Sequence, residues 1–172
     1  VLLALPLLKE LIVKKAKIVI ISHLGRPKGV KENELSLLPV YKFLKENLEK
    51  KINKKIKLID DDIFKLKKDD LLKDPDDQIV FLENIRFYKE EEKNDTSFTK
   101  HLAGLADLFV NDAFSCSHRS HASICKITEF LPSFAGLQME KEINALKKVT
   151  TEIQKPTTCI IGGSIISTKI GI

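Results

Sequence analysis

Residues 111–123 read NDAFSCSHRSHAS and crowd an aspartate, a cysteine, two histidines and an arginine into one short stretch. Three chemistries draw on such a set. Cys116, His118, His121 and Cys125 have the close spacing of a zinc ligand set, because zinc takes thiolate and imidazole. Cys116 or Cys125 beside a histidine would form an activated nucleophile. His118, Arg119, Ser120 and His121 offer imidazole, guanidinium, hydroxyl and backbone N–H donors, which is what a phosphate or carboxylate requires. Arg119 opposes the zinc reading, since it sets a cation among the ligands, and no second cysteine pair supports it. Neither cysteine has the surroundings of a nucleophile, and a buried structural thiol is the ordinary role. The residues favour an anion cradle and no metal.

Composition sharpens that reading. Only three of the 29 basic residues are arginines, namely Arg26, Arg86 and Arg119. A chain that otherwise uses lysine for positive charge has placed a planar, forked donor at three positions, and bidentate recognition of phosphate or carboxylate is the usual reason. The net charge of +5 points the same way. The lysines mostly alternate with Glu and Asp, as in KFLKENLEKKINKK, and form solvated helix faces. No basic stripe interleaved with aromatics suggests a nucleic-acid partner. No apolar run reaches the length of a membrane span, since Pro6, Lys9 and Glu10 interrupt VLLALPLLKELIV. Three cysteines, an odd number, give no disulfide framework and point to a reducing, cytoplasmic setting.

The elements that must position these residues alternate between strand and helix. Periodicity predicts helices over 4–15, 36–51, 63–73, 96–106 and 137–153, and short apolar runs predict strands over 17–22, 56–59, 78–83, 107–111 and 158–161. Pro6 suits a first helical turn, and an aspartate or threonine caps the helix at 96. Met139, Ile143, Leu146, Thr150 and Ile153 share one face of the last helix. Such alternation implies an α/β fold, a Rossmann-like parallel sheet with helices on both faces. Each arginine follows a strand, in SHLGRPKG, ENIRFYKEEE and SCSHRSH. The carboxyl ends of parallel strands share one edge, where ligands bind, so Arg26, Arg86 and Arg119 are expected to converge with His23, His118 and His121. The local alternative for Arg86 is pairing with Glu90, Glu91 or Glu92.

SHLGRPKG, LENIRFYKEEEKND, FVNDAFSCSHRSHASI and GGSIISTK, in that order, resemble the phosphoglycerate kinase family from about Leu3 to the last residue. The resemblance covers less than half of the family's usual chain, so a partial chain is expected, as its start at Val1 also suggests. It implies a phosphoglycerate-binding N-terminal domain at 1–137 without its first strand, an interdomain helix at 138–155, and the start of a nucleotide domain at 156–172. It also implies reversible phosphoryl transfer between 1,3-bisphosphoglycerate and ADP, giving 3-phosphoglycerate and ATP, with Mg2+ bound mainly by residues beyond this chain. The full-length form is expected to be a cytoplasmic monomer.

Carried across residue by residue, the resemblance assigns His23, Leu24, Gly25, Arg26, Arg86 and Arg119 to substrate binding. It assigns Gly162, Gly163 and Lys169 to the nucleotide. The catalytic residues are not assigned within the chain: the family's essential arginine falls before Val1, and Ile165 stands where the family has a lysine. This chain alone is expected to lack turnover.

Overall fold

The computed structural model describes residues 1–52, 55–71, 73, 77–153, 155, 156, 158 and 160. Two compact units follow one another along the chain, Val1–Met139 and Glu140–Ile172. The first unit holds both sheets and is built on strand β3 (Asp77–Leu82). Strands β1 (Ile18–Ile20) and β2 (Lys55–Ile59) flank β3, both parallel to it, in the order β1-β3-β2. Parallel strands need long crossovers. Helix α2 (Leu38–Ile52) lies in the connection from β1 to β2.

QIVFL is apolar almost throughout because both faces of the sheet are covered. Ile79 and Phe81 pack with Ile18, Ile56 and, from the helices, Leu8, Leu44 and Leu48. Leu8 belongs to α1 (Leu5–Val13), with Pro6 in its first turn as expected. Val80 and Leu82 point the other way, into a core with Ile63, Phe98 and Leu102. Phe98 and Leu102 come from α5 (Thr96–Ala103), whose start is fixed by Asp95, the carboxylate accepting from Phe98 N at 2.8 Å.

β4 (Phe109–Asn111) pairs in parallel with β5 (Ser133–Ala135) in a separate two-stranded sheet. The parallel α/β architecture is therefore present, divided between two sheets. β5 was not expected from SFA, which is exposed at all three positions and shows no alternation. The helix expected over 63–73 is interrupted instead. A 3-10 turn occupies Ile63–Lys65, where Asp62 accepts from Phe64 N at 3.1 Å, the chain extends at Leu66, and α3 (Lys68–Leu71) follows. A second short helix, α4 (Lys89–Glu92), follows the Arg86 loop.

The described part of the second unit is mostly the helix α6 (Leu137–Thr150), which begins in the first unit's last residues. Asp112 caps that start, accepting from Gln138 N at 2.7 Å and Met139 N at 3.2 Å. The strand expected over 158–161 extends outside the described residues, as do Gly162, Gly163, Ile165 and Lys169.

Candidate anion-binding site

Three strand ends of the first unit build the site. β1 runs into the His23–Arg26 loop, β3 into a 3-10 turn at Ile85–Phe87, and β4 into the His118–His121 loop. Asn84 fastens the first two together. Fully buried, it donates from Nδ2 to the carbonyls of Leu24 and Leu35, both at 2.8 Å, and accepts at Oδ1 from Arg86 N at 3.1 Å. Its neighbour Glu83 accepts from Ser36 Oγ and Leu37 N, both at 2.6 Å, and from Asn84 N at 2.7 Å. Ile85 N donates to Ser22 O at 3.1 Å. Gly25 sits at φ +65°, and a Cβ there would lie 2.6 Å from a Leu35 methyl, so the turn before Arg26 requires glycine.

Arg86 is the most buried of the arginines, at 3% exposure. Its Nη1 donates to Gly25 O at 2.8 Å, while Nε and Nη2 are buried with no hydrogen-bond partner. The nearest carboxylate oxygen it pairs with, Glu92 Oε1, lies 3.8 Å from Nε. That is an ion-pair distance and too long for a hydrogen bond, so the local carboxylates do not satisfy this guanidinium. Burial, and then the charge of Arg119, hold its pKa below the ordinary arginine value. Arg119 is half-buried with its own Nε unpartnered.

His23 completes the group. Burial first, and then the charges of Arg86, Arg119 and His121, push its pKa down to about 4. It is therefore uncharged at neutral pH. Its Nε2 stands 3.8 Å from Cys116 Sγ. His121 is likewise held below the usual histidine range, by burial and then by Arg86. Its Nδ1 is buried without a hydrogen bond, 3.7 Å from Glu91 Oε1. Glu91 itself, 2% exposed, holds the third loop: its carboxylate accepts from Ser123 N at 2.9 Å and Ser123 Oγ at 2.6 Å, and its carbonyl accepts from Ala122 N at 2.9 Å. Burial raises the Glu91 pKa against those hydrogen bonds.

The cluster therefore joins His23, Arg86, Arg119 and His121. Leu24, Gly25 and Arg26 are exposed, and the Arg26 side chain takes no hydrogen bond or ion pair with the described residues. His118 is exposed beside the cluster, its charge opposing protonation of His121. Both described cysteines are free, and no group of three or more His, Cys, Asp or Glu among the described residues is arranged to hold a metal. The sequence reading overlooked Asn84, Glu83 and Ser123, and considered Glu91 only as a local partner of Arg86 and not as the residue that holds the third loop. A polar pair set directly after the apolar run QIVFL was a usable signal for Glu83 and Asn84, whereas Glu91 within KEEE looks solvated. A separate cavity of about 280 Å³ lies among Lys31, Asp60, Asp62, Glu83 and Tyr88.

With this geometry in hand, the sequence matches the family described as phosphoglycerate kinase over residues 1–172. The chain belongs to the phosphoglycerate kinase family. It is 51% identical to the phosphoglycerate kinase of Wolbachia pipientis wMel over 173 residues, covering all of this chain and 42% of that protein. It is 45% identical to that of Dictyoglomus turgidum, covering 98% of this chain and 41% of the relative. Among solved structures, phosphoglycerate kinase from Coxiella burnetii superposes with a TM-score of 0.79 at 38% identity, over 97% of this chain and 41% of that one. Phosphoglycerate kinase from Pyrococcus horikoshii gives 0.75 at 29% identity, over 90% and 38%. The chain thus spans about two fifths of the length of the kinases it resembles.

Proposed function

We propose that this chain is the phosphoglycerate-holding part of a phosphoglycerate kinase. The whole protein would move a phosphoryl group reversibly between 1,3-bisphosphoglycerate and ADP, giving 3-phosphoglycerate and ATP. The observation that carries this reading is Arg86, whose guanidinium is buried with two nitrogens unpartnered. Leaving a buried donor without a hydrogen-bond partner costs about 1–3 kcal/mol, and more when the group is charged. A bound phosphate or carboxylate would remove that cost, and Arg119 lies close enough to share the ligand's charge. His23, neutral at pH 7, serves as a hydrogen-bonding group there and not as a third cation. Arg26, exposed and uncommitted, is the group free to swing onto the ligand.

The chemistry fits those residues. In the ATP-consuming direction the acceptor is a carboxylate, already ionised at neutral pH, so no general base is needed. Catalysis then rests on placement and charge neutralisation. The residues assigned here to the nucleotide, Gly162, Gly163 and Lys169, would take ATP or ADP with Mg2+ in company with residues of the remaining chain. We place the phosphoglycerate-binding domain at 1–137, the interdomain helix at 138–155 and the start of the nucleotide domain at 156–172. The full-length enzyme would be a cytoplasmic monomer, and this part alone would bind without turning over.

Calorimetry with 3-phosphoglycerate tests the assignment. Binding at millimolar concentration or tighter is expected, together with its loss in Arg119→Ala; no heat, or an unaltered isotherm in the variant, overturns it. Ile165 favours a second reading, a non-catalytic remnant, because the family resemblance puts a lysine there. A lengthened chain that keeps Ile165 decides between them by whether it forms ATP.

A further inference from the structure

Cys116 takes no part in the proposed phosphoryl transfer, yet it stands at the cluster. It is half-buried, 3.8 Å from His23 Nε2, and close enough to Arg86 for the two to interact electrostatically. Arg86 is more than nine-tenths buried and keeps Nε and Nη2 without partners, and Arg119 Nε is a third orphaned donor. A thiol in this position faces a field that collects anions. The other described thiol, Cys125, is the more exposed of the two.

We propose that Cys116 is a modification site for carboxylate-bearing low-molecular-weight disulfides, the glutathione disulfide class. The arginine cluster recruits the carboxylates and so delivers the S–S bond to the thiol. In the step itself the Cys116 thiolate attacks one sulfur of the disulfide. A new S–S bond forms to Cys116 as the reagent's own S–S bond breaks. The departing thiolate takes up the proton that Cys116 released. Cys116 is oxidised, the departing half is reduced, and the disulfide is the only oxidant required. The selectivity comes from recruitment, because positively lined clefts concentrate anions near their walls. The adduct leaves its carboxylates among Arg86 and Arg119, where they occupy the unpartnered donors. This inference needs only the positive cluster and is independent of which anion the site serves.

Peptide mapping by mass spectrometry tests it on the unaltered chain, treated in parallel with glutathione disulfide and with uncharged hydroxyethyl disulfide. Cys116 is expected to gain the glutathione adduct about tenfold faster than Cys125, in keeping with electrostatic focusing. Raising the salt should erase that preference, since screening shortens the field to a few ångströms. Hydroxyethyl disulfide should show no preference for Cys116. Arg119→Gln should lower the glutathione rate at Cys116 and leave Cys125 unchanged. Equal or faster reaction at Cys125, or the same preference with the neutral reagent, overturns the proposal. The salt series requires no variant, so it decides the matter even if Arg119→Gln fails to fold.

Discussion

At neutral pH the His23 imidazole carries no charge, because burial and two neighbouring guanidinium groups oppose the proton. Its ring resonances are therefore expected to stay flat on an NMR titration from pH 7.5 to 5 and to move only near about 4. In Arg119→Ala the midpoint should rise, though not all the way to 6.5, since burial is the larger cause. A wild-type midpoint near 6.5 would refute the assigned surroundings. The sign for stability follows. Unfolded histidine takes its proton near 6.5 and folded His23 only near about 4, so between these values unfolding binds a proton and stability falls as the pH is lowered. His23→Gln should lose less stability than the wild type across that window. Asn84 supports a second prediction. Asn84→Ala strips partners from Leu24 O, Leu35 O and Arg86 N, and should cost about 1–3 kcal/mol in urea unfolding. Asn84→Asp should not restore it, because a carboxylate cannot donate to the two carbonyls.

Elements differ in how plainly the sequence announces them. α1, α2 and α5 carry apolar residues at helical spacing, and β3 is an uninterrupted apolar run, so periodicity alone locates them. Asp95 was legible as a cap because it precedes such a run. Asp95→Ala should destabilise the chain by about 1 kcal/mol, read as a shift of the urea midpoint at constant slope. β5 was not legible: three exposed residues held by a partner 24 positions earlier in register leave no local pattern. The break between Ile63–Lys65 and α3 was hidden for a related reason, since Asp62 turns the chain through a side-chain bond that spacing does not encode. At the site, strand ends announced the arginines, whereas the contacts that hold them came from Glu91 and Asn84, residues whose burial depends on tertiary packing. Arg26 was expected among the converging arginines; in the structure the interactions of the cluster run through Arg86, Arg119, His23 and His121 instead.

For the molecule as a whole, strand edges govern behaviour in solution. Among the described residues β1 pairs with β3 alone, and β4 pairs with β5 alone, so each offers one unpaired edge. Leu2, Leu3, Leu108 and Phe134 add exposed apolar surface. Such edges template further pairing. Light scattering behind size exclusion should therefore show mass rising with concentration, and a constant monomer mass would count against it. The paired clamp of Glu83 and Asn84 has a different consequence, one in time. Segments around Leu24, Leu35–Leu37 and Ile85–Arg86 are tied to two adjacent side chains, so none can open without releasing the others. Hydrogen exchange should find the amides of Leu37, Ile85 and Arg86 opening as one cooperative unit, with a common free energy. Glu83→Gln should accelerate all three in step, and three unrelated rates would mean that the strand ends breathe independently.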